Sequence, residues 1–595
     1  MSAAADFLAT LAGHLEAGDA AGAASLFHAE SHWRDLLPLT WSIATFDGPA
    51  AIAAMLAATL PEARPRGFVL EPGSETTTAD GVTEAWFGFQ TATMQCRGHL
   101  RLKDGRAWTL VTMALALTAH PERVGTARER GVEHGAFPDR QNWAERRRRH
   151  QARLGETEQP YCLIIGAGQG GLTLAARLAM LDVPTLVVDS HARPGDAWRQ
   201  RYDSLCLHDT VWANHLPYLP FPPGFPTFIP KDRMADWLDS YARIMGLDIW
   251  SATTAQGAEH DAASGEWRVT VTRQGREVTL RPKQLVIATG LSGAPAVPRY
   301  PGAEDFRGTQ MHSSQYRNAE GWRGKRCVVV GSNNSAHDIC ADLWEQGADV
   351  TMVQRSSTLV IRADSSYNFL SSKLFSEEAV ARGVTTEQAD FIAASRPYAL
   401  LPPMHQAIYR EIRAHDADFY AGLEKAGFML DFGEDDSGHA LKYLRRGSGY
   451  YIDVGASQLI IDGAVKLRSR TRPARILPEA VELEDGTILP ADLIVYATGF
   501  EAMESWVEQL VSPEAARRLG PVWGLGSGTR RDPGPWAGEL RNMWKPTRQD
   551  GLWMQGGNLA QTRFYSRLLA MQLKARMEGI PTPVHDPRAL EAVPA

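Results

Sequence analysis

Cysteine is scarce in this 595-residue chain, with only five present. Cys96, Cys162, Cys206, Cys327 and Cys340 are scattered, and no two stand in a C-x-x-C pair. That spacing argues against a zinc site or a dithiol redox centre, so no metal is expected. A sparse, odd set fits a reducing cytoplasm. A basic excess is also missing: 62 Lys and Arg stand against 69 Asp and Glu, a formal charge of −7. Nucleic-acid binders usually show the opposite balance, so no nucleic-acid partner is expected. The first eleven residues lack a basic stretch ahead of an apolar core, and no secretory leader is read there. Apolar runs such as residues 161–165 are far too short to cross a bilayer, so no membrane span is expected.

What is present falls into blocks. Residues 1–120 read helices first and strands after. Helical spacing covers 6–15, 20–27 and 49–60, the last opened by Asp47-Gly48-Pro49. Strand patterns cover 82–91, 93–102 and 108–117, with the hairpin signal Asp104-Gly105 between the last two. Segregated helices and an antiparallel sheet make a small α+β domain. Residues 121–159 are charged and hold Arg146-Arg147-Arg148-Arg149-His150. They read as a linker helix with a solvated face. From residue 160 short apolar strands alternate with helices, the mark of α/β units on parallel sheets. Residues 160–310 and 311–500 read as two nucleotide domains, and 501–595 as a return to the first. A helical insertion at 365–457, with Pro402-Pro403 as a break, is expected to shape a substrate cavity or an oligomer contact.

The first nucleotide signal is the most complete. A buried-strand pattern over 161–165 runs into Gly166-Ala-Gly168-Gln169-Gly-Gly171 and then a helix. Gly166 permits the tight turn, Gly168 lets a pyrophosphate reach the backbone, and Gly171 lets helix and strand pack closely. The helix N-terminus offers unpaired N–H groups to the phosphates. A second strand over 185–188 ends at Asp189, where a carboxylate can accept from an adenosine ribose.

The second signal is altered. The strand over 327–330 leads to Gly331-Ser332-Asn333-Asn334-Ser335-Ala336. Asn333 replaces the second glycine and tolerates unusual backbone angles, while Ala336 is an accepted third residue. The next strand ends in Gln354-Arg355-Ser356-Ser357, with no acid at the ribose position. A guanidinium there can grip a 2′-phosphate, which favours NADPH over NADH. Arg355 as a plain surface charge, with NADH as the donor, stays open. One acidic and one basic ribose position suggest FAD first and NADPH second.

Between the two signals lies Phe306-Arg-Gly308-Thr-Gln-Met-His312-Ser-Ser-Gln-Tyr316. It resembles the F-x-G-x-x-x-H-x-x-x-Y/F motif of the flavin-containing monooxygenases. Gly195-Asp-Ala-Trp198-Arg-Gln-Arg201-Tyr202 resembles the family stretch that lies against the flavin. Ala288-Thr289-Gly290 and Ala497-Thr498-Gly499-Phe500 resemble its two A-T-G strand ends, and Gln555-Gly556-Gly557-Asn558 the segment closing on the isoalloxazine. The fold thus expected is α/β, with two Rossmann-like dinucleotide-binding domains for FAD and NADP. A small α+β domain precedes them, similar in element order and in Trp33-Arg34-Asp35-Leu36-Leu37 to the cone-shaped nuclear transport factor 2-like fold. Such an extension is associated with the type II branch and with loose NADH/NADPH discrimination. In the cone, Trp33 and Asp35 read either as pocket lining or as core and cap residues.

Cofactor contacts are expected at Gly166, Gly168, Gln169, Gly171, Asp189, Trp198, Leu207, His208, Thr498, Gly499 and Gln555. For the nicotinamide nucleotide they are expected at Gly331, Ser332, Asn333, Asn334, Ser335, Arg355 and Ser356. The resemblance implies that NADPH reduces FAD and that reduced flavin captures O₂ at C4a as a peroxide. Oxygen then passes to a small organic substrate: an amine, a sulfide, a ketone or an indolic 2-oxo acid. Such cofactor chemistry asks little of side chains as acids or bases. The candidate catalytic residues are Asp209 and Arg446, placed by similarity to a flavin-edge acid and a peroxide-stabilising arginine of Baeyer–Villiger enzymes, and His312 from the motif. Competing readings are an uncoupled NADPH oxidase, a non-catalytic NADPH sensor whose cone binds a ligand, and a disulfide reductase, for which Cys206 lacks a partner. A homodimer is one arrangement left open.

Overall fold

A computed structural model describes residues 2–585. The N-terminal part is a mixed sheet wrapped by three helices, Ala3–Glu16, Ala20–Ser25 and Gly48–Ala63. Its strand order runs Ile43–Asp47, Phe27–Leu36, Arg106–Leu117, Met94–Lys103, Thr83–Gln90, Arg66–Leu70. The hairpin at 104–105 forms as the sequence indicates: Lys103 pairs with Arg106, and both turn residues take positive φ. The second helix stops at Ser25 rather than running to residue 27. Phe27 instead opens a ten-residue strand. Its polar residues, including Arg34 and Asp35, hid that strand from the hydrophobic pattern, because they are buried although polar.

Residues 143–153 form the linker helix, Trp143–Arg153, opened by a capping box between Asn142 and Glu145. Its basic run docks rather than floats: Arg147 and His150 both reach Asp248, at 3.0 and 2.7 Å.

Two parallel five-stranded sheets follow. The first runs Ile249–Trp250, Thr185–Val188, Cys162–Ile165, Gln284–Ile287, Leu552–Met554. The second runs Thr309–His312, Leu493–Tyr496, Arg326–Val330, Asp349–Gln354, Lys466–Ser469. In each, the strand that opens the glycine loop lies where strand order changes direction, so its carboxyl end faces a crevice. These strands are buried on both faces, as parallel strands under helices must be. The last strand of the first sheet comes from the far end of the chain. Helix Leu559–Met577 follows it and packs on the loop helix Gln169–Met180.

The segment 363–461 is largely helical, but Pro402-Pro403 does not break it. Both prolines occupy the first turn of Leu401–His415, where a missing N–H costs nothing. The Pro-rich loop 221–228 is an aromatic wedge: Phe221 stacks on Phe225 at 4.9 Å, and both tilt against Trp237 of helix Lys231–Ile244 at 5.0 and 5.6 Å. Among the described residues no helix is long and apolar enough to cross a membrane, and no His, Cys, Asp and Glu group could hold a metal ion.

Candidate active site

The first loop is built as a cradle. Gly166 has φ 112°, and a Cβ there would lie 2.6 Å from the Ala288 carbonyl oxygen. Gly168 differs, since a Cβ there would meet nothing within 4 Å. The backbone is therefore open toward the crevice at the position where a pyrophosphate must approach. Gly168 also caps helix Gln169–Met180 without a side-chain bond, leaving the terminal N–H groups for an anion. Two buried polar atoms beside this cradle, Gln555 Oε1 and Thr289 Oγ1, have no partner. The buried Gln555 amide donates to the Gly170 carbonyl at 3.1 Å, tying the C-terminal return to the loop. Open backbone, free helix amides and orphaned acceptors fit a dinucleotide.

Asp189 stands at the end of the second strand. Its carboxylate accepts from Ala167 N at 2.6 Å and His191 N at 2.8 Å. It also bonds the His191 ring, and that bond raises the imidazole's pKa. Asp189 thus tightens the loop as well as facing the ribose position. Trp198 Nε1 donates to Gln169 Oε1 at 3.4 Å, so these two expected contacts meet. Leu207 is buried, with its N–H on Ile229 O, and the next two residues, His208 and Asp209, are exposed.

The second loop has the same plan. Gly331 has φ 134° and no room for a Cβ beneath Ala497. The Asn333 side chain does not cap helix Asn334–Glu345; it accepts from Thr358, which also bonds Ser332 at 2.7 Å. Asn334 Oδ1 accepts from Ile452 N at 3.0 Å. Asparagine at the second glycine position is thus accommodated by turning its amide away from the crevice. Arg355 and Ser356 are exposed at the end of the second strand.

Two placements differ from the sequence picture, and a third decides between its alternatives. The two candidate catalytic residues Asp209 and Arg446 do not pair with each other: Arg446 is bound by Glu434. Its neighbour Arg445 is fixed by Asp435 at 2.9 and 2.7 Å. Burial first, and Asp209 second, push the Tyr450 hydroxyl upward, and Tyr443 beside it shifts the same way. His312 is a buried joint. Nε2 meets Gly499 O at 2.9 Å, Nδ1 meets Ser314, and burial lowers its pKa. Thr498 Oγ1 donates to Ala296 O at 2.6 Å, so His312, Thr498 and Gly499 lock the crossing between the sheets. Trp33 and Asp35 are core residues. Trp33 Nε1 donates to Thr112, which in turn donates to Asp35 at 2.6 Å.

Several residues at the site went unread in the sequence. Tyr443 donates to Gln561 at 2.9 Å, and its carbonyl accepts from Trp523 at 2.7 Å. With Tyr450 they make an aromatic wall beside the 555–558 segment. Only Tyr450 had a signal, four residues after the candidate Arg446. Asp338, one turn into the second loop helix, accepts from Tyr202 at 2.7 Å, and burial raises its carboxyl to about 6. This bond joins the helix of one nucleotide domain to the flavin-side stretch of the other.

Two glycine-turn crevices on two parallel sheets, joined by a double crossing, define a two-nucleotide oxidoreductase. The comparisons with known proteins agree. The family described as pyridine nucleotide-disulphide oxidoreductase matches residues 163–390. The chain is 31% identical to the indole-3-pyruvate monooxygenase YUCCA1 of Oryza sativa subsp. japonica, over 59% of this chain and 80% of that one. It is 30% identical to the probable indole-3-pyruvate monooxygenase YUCCA7 of Arabidopsis thaliana, over 58% and 76%. Its fold is similar to that of cyclohexanone monooxygenase in an open crystal structure, at TM-score 0.50 and 17% identity over 71% of this chain and 88% of that one. The chain belongs to the flavin-containing monooxygenase family and is a flavin-dependent oxidoreductase.

Proposed function

We propose that the protein holds FAD at the 166–171 cradle and NADPH, with NADH as a second donor, at the 331–336 loop. With them it oxygenates an aromatic 2-oxo acid of the indole-3-pyruvate type. The balanced reaction is 2-oxo acid + O₂ + NADPH + H⁺ → shortened carboxylic acid + CO₂ + H₂O + NADP⁺. The observation that carries this reading is the 31% identity to relatives named for that substrate, spanning 80% of their length. The aromatic wall of Tyr443, Tyr450 and Trp523 beside the 555–558 segment suits a planar aromatic group.

A flavin held at this cradle would supply the redox chemistry between the nicotinamide nucleotide and O₂. The chain's own residues bind, orient and exclude water. Gly168 and the free amides of helix Gln169–Met180 hold the pyrophosphate. Asp189 would hold the first ribose, and Arg355 would meet the 2′-phosphate of the second. Tyr450 presents a hydroxyl kept protonated by burial, and a protonated phenol can donate to developing negative charge, while the Tyr443 hydroxyl is committed to Gln561. His312 acts as a positioning residue for the domain crossing rather than as an acid or base.

The test is stoichiometry with purified flavin-loaded protein, NADPH and indole-3-pyruvate. Indole-3-acetate and CO₂ in step with NADPH oxidation are expected. NADPH oxidation that yields only hydrogen peroxide, whatever the substrate, would show an uncoupled oxidase instead. Turnover of amines, sulfides or ketones with 2-oxo acids inert would move the substrate class.

A further inference from the structure

We propose that His439 Nε2–H and the Tyr450 hydroxyl are paired donors to the keto oxygen of the substrate, which makes His439 a catalytic residue that selects carbonyl compounds. The inference deepens the substrate reading given above and rests on it.

His439 lies in the first turn of helix Gly438–Arg446 and is held on one side only. Its backbone N–H donates to the Tyr409 hydroxyl at 3.0 Å, and its Nδ1 lies 2.8 Å from the same oxygen. Tyr409 has no other acceptor among the described residues, so its hydrogen goes to Nδ1 and the ring hydrogen stands on Nε2. Gly438 permits this approach, because a Cβ there would collide with the Tyr409 ring. Gln406, one turn before Tyr409, donates to Asp435 O at 2.7 Å and keeps the two segments together. Burial pushes the imidazole down to about 3, so the ring is a neutral donor.

The polar groups on the other side are unmatched. The His439 and Tyr450 rings lie 5.6 Å apart. Among the described residues, neither His439 Nε2 nor the Tyr450 hydroxyl has a hydrogen-bond partner, and both residues are half-buried. His405, four residues before Tyr409 on helix Leu401–His415, has a buried Nδ1 without a partner. Buried polar groups are normally paired, so unmatched ones gathered on one wall mark a place for a polar ligand.

That wall adjoins the flavin cradle. Tyr443, one turn after His439 on the same helix face, donates to Gln561, whose Oε1 also accepts from Asn558 N at 3.1 Å. Gln555, at the start of the 555–558 segment, bonds Gly170 of the cradle. Two neutral donors suit a keto oxygen, which is uncharged on arrival and gains charge during reaction. As a peroxide oxygen derived from O₂ bonds to C2, the C=O π pair moves onto the keto oxygen. The C1–C2 pair then closes a second bond from C2 to the inserted oxygen while the O–O bond breaks. CO₂ leaves, the departing oxygen ends in water, and the keto oxygen ends in the product carboxylate.

The test measures indole-3-acetate formed per NADPH by the flavin-loaded protein with indole-3-pyruvate, catalase being present to remove free peroxide. Tyr450→Phe deletes only an unpartnered hydroxyl and should fold. Its kcat for product is expected to fall about a hundredfold while KM moves little, NADPH being oxidised without product. His439→Leu should do the same, and His439→Gln, which keeps an N–H near the Nε2 position, should recover part of the loss. Flavin content, melting temperature and the rate of flavin reduction report folding and the cofactor sites separately. Native product yield in folded Tyr450→Phe and His439→Leu overturns the proposal, as does a His439→Gln no better than His439→Leu. A native protein inert toward indole-3-pyruvate but active on indole-3-acetone removes the substrate reading alone, and the same losses with that ketone support the donor pair. A native protein active only on amines or sulfides removes both.

Discussion

Arg34 and Glu539 form a buried, two-pronged ion pair across 505 residues of sequence, with N–O distances of 2.7 and 2.8 Å. Arg34 also donates to Ala394 O and Tyr565 Oη, and Thr45 donates to Glu539. Nearby, Arg101 holds Ser395 through its carbonyl and hydroxyl. The N-terminal domain is thereby bound at once to the helical insertion, to the loop that carries Glu539 and to the helix Leu559–Met577. Tyr565 stacks on Trp544 at 4.1 Å, which meets Trp523 and so the aromatic wall.

Removing one member of that pair strands a buried charge. Arg34→Met or Glu539→Gln should each cost about 3–5 kcal/mol in denaturant unfolding. The double variant Arg34→Met/Glu539→Leu should recover much of it, because no unpaired charge remains. Additive losses in the double variant would contradict a direct pair.

The cradle makes a separable prediction about binding. Gly168→Val should fold, since a side chain there points into open space, yet it should purify without flavin because that space is the pyrophosphate's. Gly166→Val should fail earlier, in folding, by collision with Ala288. The flavin-to-protein absorbance ratio and the melting temperature distinguish the two. A fully yellow Gly168→Val protein would remove the site from this loop.

Asp35 makes stability depend on pH. Burial raises its carboxyl from 3.8 to about 6, against bonds from Thr112, Thr40 and Leu39. The folded chain binds this proton more tightly than the unfolded chain. Its contribution is therefore full below 3.8 and is lost as pH rises toward about 6. Relative to the native protein, Asp35→Asn should gain stability across that window, read from unfolding midpoints at several pH values. A pH-independent difference would show that the carboxyl titrates normally.

His312 is expected to hold the domain crossing without titrating in catalysis. His312→Gln, which keeps a donor for Gly499, should retain most activity, whereas His312→Phe should lose about 1–3 kcal/mol of stability. If His312→Gln abolished an ionisation near neutrality in the pH profile of kcat/KM, an acid–base role would be restored.

Much of the nucleotide-binding half was legible because its signals are local. Gly166, Gly168, Gly171 and Asp189 follow from one strand, one turn and one helix, and periodicity reveals each. The same holds for the hairpin at Asp104-Gly105. The strand carrying Arg34 and Asp35 was not legible, because its buried polar residues break the pattern that marks a strand. Asp209 and Arg446 were placed by family similarity, but spacing carries no information about Glu434, the partner that holds Arg446.

The sequence by itself determined the two glycine turns, the sign of charge at each ribose position and the family, all encoded over short stretches of chain. Only the tertiary structure decided which charges meet. It gave Arg446 to Glu434 and buried Arg34 on Glu539. It turned His312 inward onto Gly499. Backbone turns are fixed by local sterics, whereas ion pairs depend on which distant segments share a low-dielectric interior, and that is settled when the whole chain packs.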